Sequence, residues 1–283
     1  MAGDAGIVDS SGPGPTPAPT SAPVARAGGA DETAAVSENA GDEAGGATVA
    51  LGEALLRAVA VAGYGELGRS REGRPLWGRV FGAPSSDPTT GAQPTRRLLV
   101  VGGVHGDEPS SVAAVLELGA RLAATPPTTT VTLLPALNPD GVAAGRKNGA
   151  TDVDLNRNFP ARNFTREHRS GYDPGPHPLS EPETALLARL VDEHAIDAVV
   201  AVHAPFACVN FDGPASPWAH AVAAACGWPA RADIGYPTPG SLGSWLGRDR
   251  GCPVLTIELP AGPFDAFRAQ AAAALDAAVA FSG

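Results

Sequence analysis

Four short, continuously apolar runs constrain the fold of this chain more than any other feature. They read RRLLVVGG (96–103), TVTLLPAL (130–137), IDAVVAVHA (196–204) and CPVLTIEL (252–259). Apolar runs of this length without alternation are typical of strands that are buried on both faces of a sheet. RPLWGRVFG (74–82) also has the character of a strand. The core of the chain is therefore expected to be a sheet covered on both sides.

Helical patterns separate these runs. Residues 109–124 predict a helix with Pro109 in its first turn, where proline is tolerated. Residues 180–194 open with Ser180 and Glu183 in capping-box spacing, and residues 264–281 predict a closing helix. Strands that alternate with helices predict an α/β fold, here a three-layer α/β/α domain with a mixed, largely parallel sheet.

The first 48 residues differ in composition from the rest. They are rich in Gly, Pro, Ala and Ser, and no aromatic residue occurs before Tyr64. The first 50 residues carry seven acidic residues and one basic residue. Such a segment buries too little apolar surface to offset the entropy of ordering it. We predict a disordered acidic tail over residues 1–48 and one folded catalytic domain over residues 49–283.

Charge and cysteine content exclude several classes of protein. The formal net charge is -10, and outside the first 50 residues 23 acidic residues face 19 basic ones, so we expect neither nucleic acid nor an anionic membrane as a partner. Cys208, Cys226 and Cys252 form no CxxC pair, which suits a reducing compartment. No apolar run approaches the length of a membrane span, roughly 18 residues, and no secretory signal is visible, so the expected location is cytoplasmic.

Polar residues follow the apolar runs where a ligand is expected. In an open α/β sheet, ligands bind beyond the carboxyl ends of the strands. His105 and Glu108 follow one run and His203 follows another. Two histidines and one carboxylate are a common ligand set of catalytic zinc, although each residue alone is as well explained by a polar turn.

Two further features stand out for their polarity. Glu258 lies inside the apolar run PVLTIELP, where a carboxylate costs several kcal/mol unless it is paired or functional. It is either a general base beside the metal or a strand-end residue that faces water. The segment VDLNRNFP carries Asn156 and Arg157, which suit recognition of a carboxylate, though a solvated loop would look alike.

Taken in order, these motifs resemble the zinc carboxypeptidases of the carboxypeptidase A type. The resemblance covers residues 65–262 and is carried by His105-x-x-Glu108, Asn138-Pro-Asp-Gly141, Asp154-x-Asn156-Arg157, His203 and Thr-x-Glu258. Within that family, GPHPLSEPET and IGYPTPGSLGSWLG are similar to segments of the murein peptide amidases, bacterial enzymes that cut cell-wall peptides.

The resemblance implies a metal site and its support. His105, Glu108 and His203 would bind one Zn²⁺ per chain. Asp154 would be the carboxylate that orients a ligand histidine and fixes its tautomer.

The resemblance also implies catalytic and substrate-binding roles. Glu258 would act as general base and then general acid. Arg146 would stabilise the oxyanion of the tetrahedral intermediate. Asn156 and Arg157 would hold the terminal carboxylate of the substrate, and Tyr236, in the Gly/Pro-rich GYPTPGS, would close over it.

The implied function is a zinc-dependent amidohydrolase, or metallocarboxypeptidase, of peptidoglycan recycling. It would cleave the γ-D-Glu–meso-diaminopimelate amide of murein peptides, so its partner is a small cell-wall peptide. One alternative is an N-acyl amino-acid deacylase of the succinylglutamate desuccinylase or aspartoacylase type, which shares the metal motif. Another is a zinc-containing peptide-binding module without catalysis, which the presence of Glu258 disfavours.

Overall fold

Eight strands form one mixed sheet in the computed structural model, which describes residues 37–82, 96–167 and 169–282. In chain order they are β1 (Gly65–Arg69), β2 (Pro75–Phe81), β3 (Arg97–Val101), β4 (Thr130–Leu134), β5 (Ala198–His203), β6 (Phe206–Asp212), β7 (Ala230–Arg231) and β8 (Val254–Pro260). Across the sheet the order is β1-β2-β4-β3-β5-β8-β6-β7. Strands β4, β3, β5 and β8 are neighbours and run parallel, whereas β2 and β6 flank them in antiparallel pairs.

The helices cover both faces of this sheet. They are α1 (Ser37–Val61), α2 (Pro109–Ala124), α3 (Pro139–Ala144), α4 (Pro182–Glu193), α5 (Ser216–Cys226) and α6 (Arg268–Ala280), with a π-helix over Gly243–Asp249 and short 3₁₀ turns at Leu155–Arg157 and Phe264–Ala266. Among the described residues, no helix combines the length and the apolar character that crossing a membrane requires.

Alternation along β3 shows the three layers. Leu98 and Val100 pack with α2, α5 and α6 in one apolar cluster. Leu99 and Val101 pack with α4 and the π-helix in another. Successive side chains of a strand point to opposite faces, so the sheet lies between two cores. The predicted three-layer α/β/α fold is confirmed, and the four apolar runs are its four parallel strands.

The start of the first helix does not coincide with the predicted end of the tail. Helix α1 begins at Ser37, so the boundary at residue 48 lies inside a helix. Further along the same helix, α1 packs so closely on α3 that a Cβ on Gly52 would lie 2.2 Å from the carbonyl oxygen of Val142. Residues 1–36 of the predicted tail lie outside the described residues, and their disorder stays a prediction.

The predicted capping box at the start of α4 is wrong. The N-cap residue is Glu181, and no side chain caps the helix. Ser180 donates instead to the Glu181 carboxylate, and Glu183 accepts a hydrogen bond from the backbone NH of Arg71. Ser180 thus pairs with its neighbour and Glu183 with a residue distant in sequence, and neither makes the capping bond that the spacing indicated.

The contact between α1 and α3 predicts opposite effects for two glycines of one helix. Gly52→Ala drives a Cβ into the Val142 carbonyl and is expected to destabilise the protein by about 1–3 kcal/mol. Gly46→Ala, with nothing within 4 Å, is expected to stabilise α1 by up to about 1 kcal/mol because alanine favours helix. Urea unfolding measures both, and equal effects would mean that α1 does not pack on α3.

Candidate metal centre and active site

The loop between β3 and α2 brings two polar side chains to the end of the sheet. It turns through Gly103, whose φ is +56°, and approaches α3 so closely that a Cβ on Gly106 would lie 1.9 Å from the carbonyl carbon of Gly141. Glu108 occupies the N-cap position of α2 but makes no side-chain cap. Its carboxylate is therefore free to face the histidines.

His105, Glu108 and His203 converge on one point. Glu108 Oε1 lies 2.8 Å from His105 Nδ1, and Glu108 Oε2 lies 3.1 Å from Nδ1 of His203, the last residue of β5. One donor atom from each of the three residues lies within 4.8 Å of the others. Two imidazole nitrogens and one carboxylate at this spacing fit a tetrahedral zinc ion with one open position.

Asp154 contacts the triad through the other ring nitrogen of His105. It has no exposed surface, and its Oδ1 lies 3.2 Å from His105 Nε2 and accepts a hydrogen bond from the backbone NH of Asn156. A carboxylate at Nε2 keeps a proton on that nitrogen and leaves the Nδ1 lone pair for a metal. Asp154 thus lies against His105, one of the two histidines predicted to bind the metal.

The charges of the triad shift its acidities. Burial lowers the pKa of His105, but hydrogen bonds with Asp154 and Glu108, and their charges, outweigh burial and raise that pKa to about 9. Burial raises the pKa of Glu108, yet the two histidines lower it to about 2. Without a metal, the site is therefore held together by an imidazolium between two carboxylates.

Glu258 lies beside the triad on β8, directly opposite His203 in the parallel register. It is only 5% exposed, and its Oε2 has no hydrogen-bond partner among the described residues. Burial raises the pKa of its carboxyl group, and His203 opposes that rise in part. Such low exposure disfavours a strand-end residue that faces water, whereas a buried carboxyl group with a raised pKa suits proton transfer.

The triad and Glu258 line a cleft. The 3₁₀ turn at Leu155–Arg157 forms another wall of this cleft. Arg157 is 6% exposed, lines the cleft and donates from Nη1 to the Asn156 carbonyl at 2.7 Å. The Asn156 side chain also lines the cleft and accepts a hydrogen bond from the backbone NH of Leu242 at 3.0 Å. Tyr236 lines the same cleft, with its ring 6.3 Å from that of Phe206.

Arg146 is the exception among the predicted site residues. Its side chain is exposed and does not line the cleft, so its position does not support the predicted oxyanion role. Lys147 lines the cleft instead, with Nζ 2.8 Å from Asp154 Oδ2 and 3.7 Å from the ring centre of Tyr172. Helix α3 ends at Gly145 in a left-handed conformation, and the chain leaves that turn with Lys147 facing inward.

Several cleft residues escaped the sequence analysis. Asn210 and Asp212 come from β6, and Arg248 comes from the π-helix. No local pattern marked either segment as an element, because FACVNFD is not an unbroken apolar run and a π-helix has no sequence period of its own. Only their place in the fold identifies these residues.

Comparisons with known proteins agree with this geometry. Residues 59–225 match the model of the zinc carboxypeptidase family. Murein peptide amidase A of Escherichia coli K12 is 36% identical over 207 residues, which is 68% of this chain and 79% of that protein. The corresponding protein of Vibrio campbellii is 34% identical over 64% of this chain and 76% of its own length.

Solved structures agree as well. The crystal structure of murein-tripeptide amidase from Escherichia coli O157 has a TM-score of 0.59 and 31% identity, and covers 76% of this chain and 90% of that chain. Bovine thrombin-activatable fibrinolysis inhibitor has a TM-score of 0.63 at 18% identity, covers 81% of this chain and 92% of its own, and shares the fold. The resemblance inferred from the motifs is confirmed.

The acidities of the triad predict that zinc binding releases protons. At pH 8 His105 carries a proton, since its pKa is about 9, and it must lose that proton to ligate zinc. Titration calorimetry of zinc into metal-free protein, in buffers of different ionisation enthalpy, should report release of about one proton per ion. Equal enthalpies in all buffers would contradict this.

Matched histidine variants control the titration. His203→Ala removes one of three ligands and should weaken zinc binding by at least about 100-fold. His220→Ala removes an exposed histidine of α5 and should bind zinc as the parent does.

Proposed function

Because the chain belongs to the zinc carboxypeptidase family, and is accordingly a zinc-dependent hydrolase, we propose that it cleaves the γ-D-Glu–meso-diaminopimelate amide of murein peptides. The cleft carries this proposal: it joins the triad, the buried Glu258, whose Oε2 has no hydrogen-bond partner among the described residues, and the buried Arg157. The 36% identity to murein peptide amidase A supports the substrate class. The proposed setting is the recycling of imported cell-wall peptides in the cytoplasm.

The substrate is anchored by its terminal carboxylate. A planar guanidinium such as that of Arg157 binds a carboxylate through two parallel hydrogen bonds. Asn156 uses its side-chain oxygen for the NH of Leu242, which leaves its amide NH₂ group to donate to the same carboxylate. Tyr236 is half-buried beside the cleft and covers the bound peptide.

His105, Glu108 and His203 hold one zinc ion in this proposal. Zinc in such a site supplies Lewis acidity, which polarises an amide carbonyl and lowers the pKa of water to about 7. Asp154 keeps the imidazole of His105 in the tautomer and orientation that binding requires.

Glu258 moves the proton. Its Oε2 accepts a proton from the attacking water as the new C–O bond forms at the amide carbonyl carbon. It then delivers that proton to the amide nitrogen as the C–N bond breaks, giving a free γ-carboxyl group and a free amine. Burial raises the pKa of this carboxyl group towards the operating pH, so that it can both accept and donate a proton. Lys147 lines the cleft whereas Arg146 is exposed and does not, so we assign stabilisation of the developing negative charge to Lys147.

The proposal is tested on zinc-loaded protein with three substrates. L-Ala-γ-D-Glu-meso-diaminopimelate should release free diaminopimelate, whereas an ordinary C-terminal dipeptide and N-succinyl-L-glutamate should be hydrolysed more slowly. Faster hydrolysis of N-succinyl-L-glutamate would identify an N-acyl amino-acid deacylase instead. No release from any of them, with zinc bound, would exclude hydrolysis of these classes.

Glu258→Gln tests the proton-transfer step in the same assay. It should lower kcat by at least about 100-fold, because general base catalysis contributes roughly that much or more, while zinc content stays unchanged. Glu193→Gln, an exposed residue of α4 paired with Arg189, should leave kcat unchanged. Full activity of Glu258→Gln would refute the mechanism.

A further inference from the structure

The cleft carries two opposite charges at the end that lies away from the metal triad. Arg248 Nε donates to Asp212 Oδ1 at 2.7 Å, and both residues line the cleft with Asn210 and Thr256. The Asp212 side chain is 10% exposed, whereas that of Arg248 is 57% exposed. The Arg248 guanidinium makes this bond through Nε, so its Nη groups remain to donate to a ligand.

Asp212 is held in place by tightly packed backbone. A Cβ on Gly243 would lie 2.1 Å from Asp212 Oδ2, and a Cβ on Gly247 would lie 2.5 Å from Asp212 Cβ. Both glycines belong to the π-helix that also carries Arg248. π-Helical turns are rare and occur frequently at functional sites. The carboxylate is thus fixed by the fold at the wall of the cleft, unlike a charge on a mobile surface side chain.

The register of the sheet gives the separation of Asp212 from Glu258 along the strands. Strand β6 pairs antiparallel with β8, with Cys208 opposite Glu258 and Asp212 opposite Val254. Alternate residues share one face, so Asp212 faces the same side as Cys208. It lies four residues further along the strand, which is about 13 Å. A substrate residue bound in the cleft between Glu258 and Asp212 therefore approaches Asp212 with the end of its side chain.

We propose that Asp212 and Arg248 are specificity-determining residues for a substrate whose C-terminal residue has a long side chain ending in both an ammonium and a carboxylate. Asp212 accepts hydrogen bonds from the ammonium, and the Nη groups of Arg248 donate to the carboxylate. The inference rests on the proposed function, because it takes the α-carboxylate of that residue to lie on Arg157. meso-Diaminopimelate has such a side chain. Lysine lacks the second carboxylate, and 2-aminopimelate lacks the second ammonium.

A purely structural salt bridge is the competing explanation. In that case the pair only fastens the π-helix to β6, and its loss damages the cleft for every substrate alike. A role in recognition instead predicts that each variant affects only those substrates that carry the matching charge. The two explanations therefore differ in the pattern across substrates.

The test compares kcat/KM for γ-D-Glu-meso-diaminopimelate, γ-D-Glu-L-lysine and γ-D-Glu-L-2-aminopimelate. The parent protein should prefer the first by about tenfold or more. Asp212→Asn should lower kcat/KM by about 10- to 100-fold, mainly through KM, for the two substrates whose side chain carries an ammonium, and should leave the third unchanged. Arg248→Gln should do the same for the two with a side-chain carboxylate. Arg250→Gln, whose arginine pairs with Asp192 outside the cleft, should change none.

The outcomes separate this inference from the proposed function. If the parent hydrolyses all three at equal rates, or if each variant lowers all three by the same factor, the inference is overturned while amide hydrolysis stands. If the parent hydrolyses none, the proposed function fails and calorimetry decides the inference. Glu258→Gln should then bind free meso-diaminopimelate more tightly than lysine or 2-aminopimelate, and equal or no binding overturns the inference.

Discussion

His203 and Glu258 lie side by side because β5 and β8 pair in parallel with these two residues in register. The placement of the buried carboxyl group beside a candidate metal ligand depends on that pairing, since the side chains of a strand alternate between its faces. A slip of one residue would turn Glu258 away from the cleft and bring Ile257 or Leu259 in its place. The apolar residues of both strands fix the register, because they must fill the cores on the two faces of the sheet.

Much of this could be predicted from the sequence, for identifiable reasons. The central strands were found because they are buried on both faces and therefore read as unbroken apolar runs. His105, His203 and Glu258 were found because they break those runs at the end where ligands bind. The motif indicated Arg146 but not that its side chain is exposed, because a motif gives the order of residues in a turn and not the direction in which each points. The start of α1 was missed because residues 37–48 include three glycines, which have a low helix propensity.

The loop that holds Arg157 owes its rigidity to Asn158. The Asn158 amide group donates to the carbonyls of Pro174 and His177 and to the Ser180 hydroxyl, and its oxygen accepts from Thr184. The residue has no exposed surface, so these bonds replace all contact with water. A fully satisfied buried amide is stable and specific in its geometry, whereas a partly satisfied one is costly. The adjacent arginine is thereby presented by a loop that has little freedom to rearrange.

The close contacts of glycine also tie the periphery of the molecule to its metal site. Helix α1 touches the backbone of α3 at Gly52, and α3 touches the loop that carries His105 at Gly106, in both cases without an intervening side chain. Closely packed backbone is hardly compressible, and it passes strain on. A displacement of α1 is therefore expected to displace α3, and with it the loop that carries His105. The position of a candidate metal ligand thus depends in part on a surface helix, whose contact residue Gly52 lies 53 positions before His105 in the sequence.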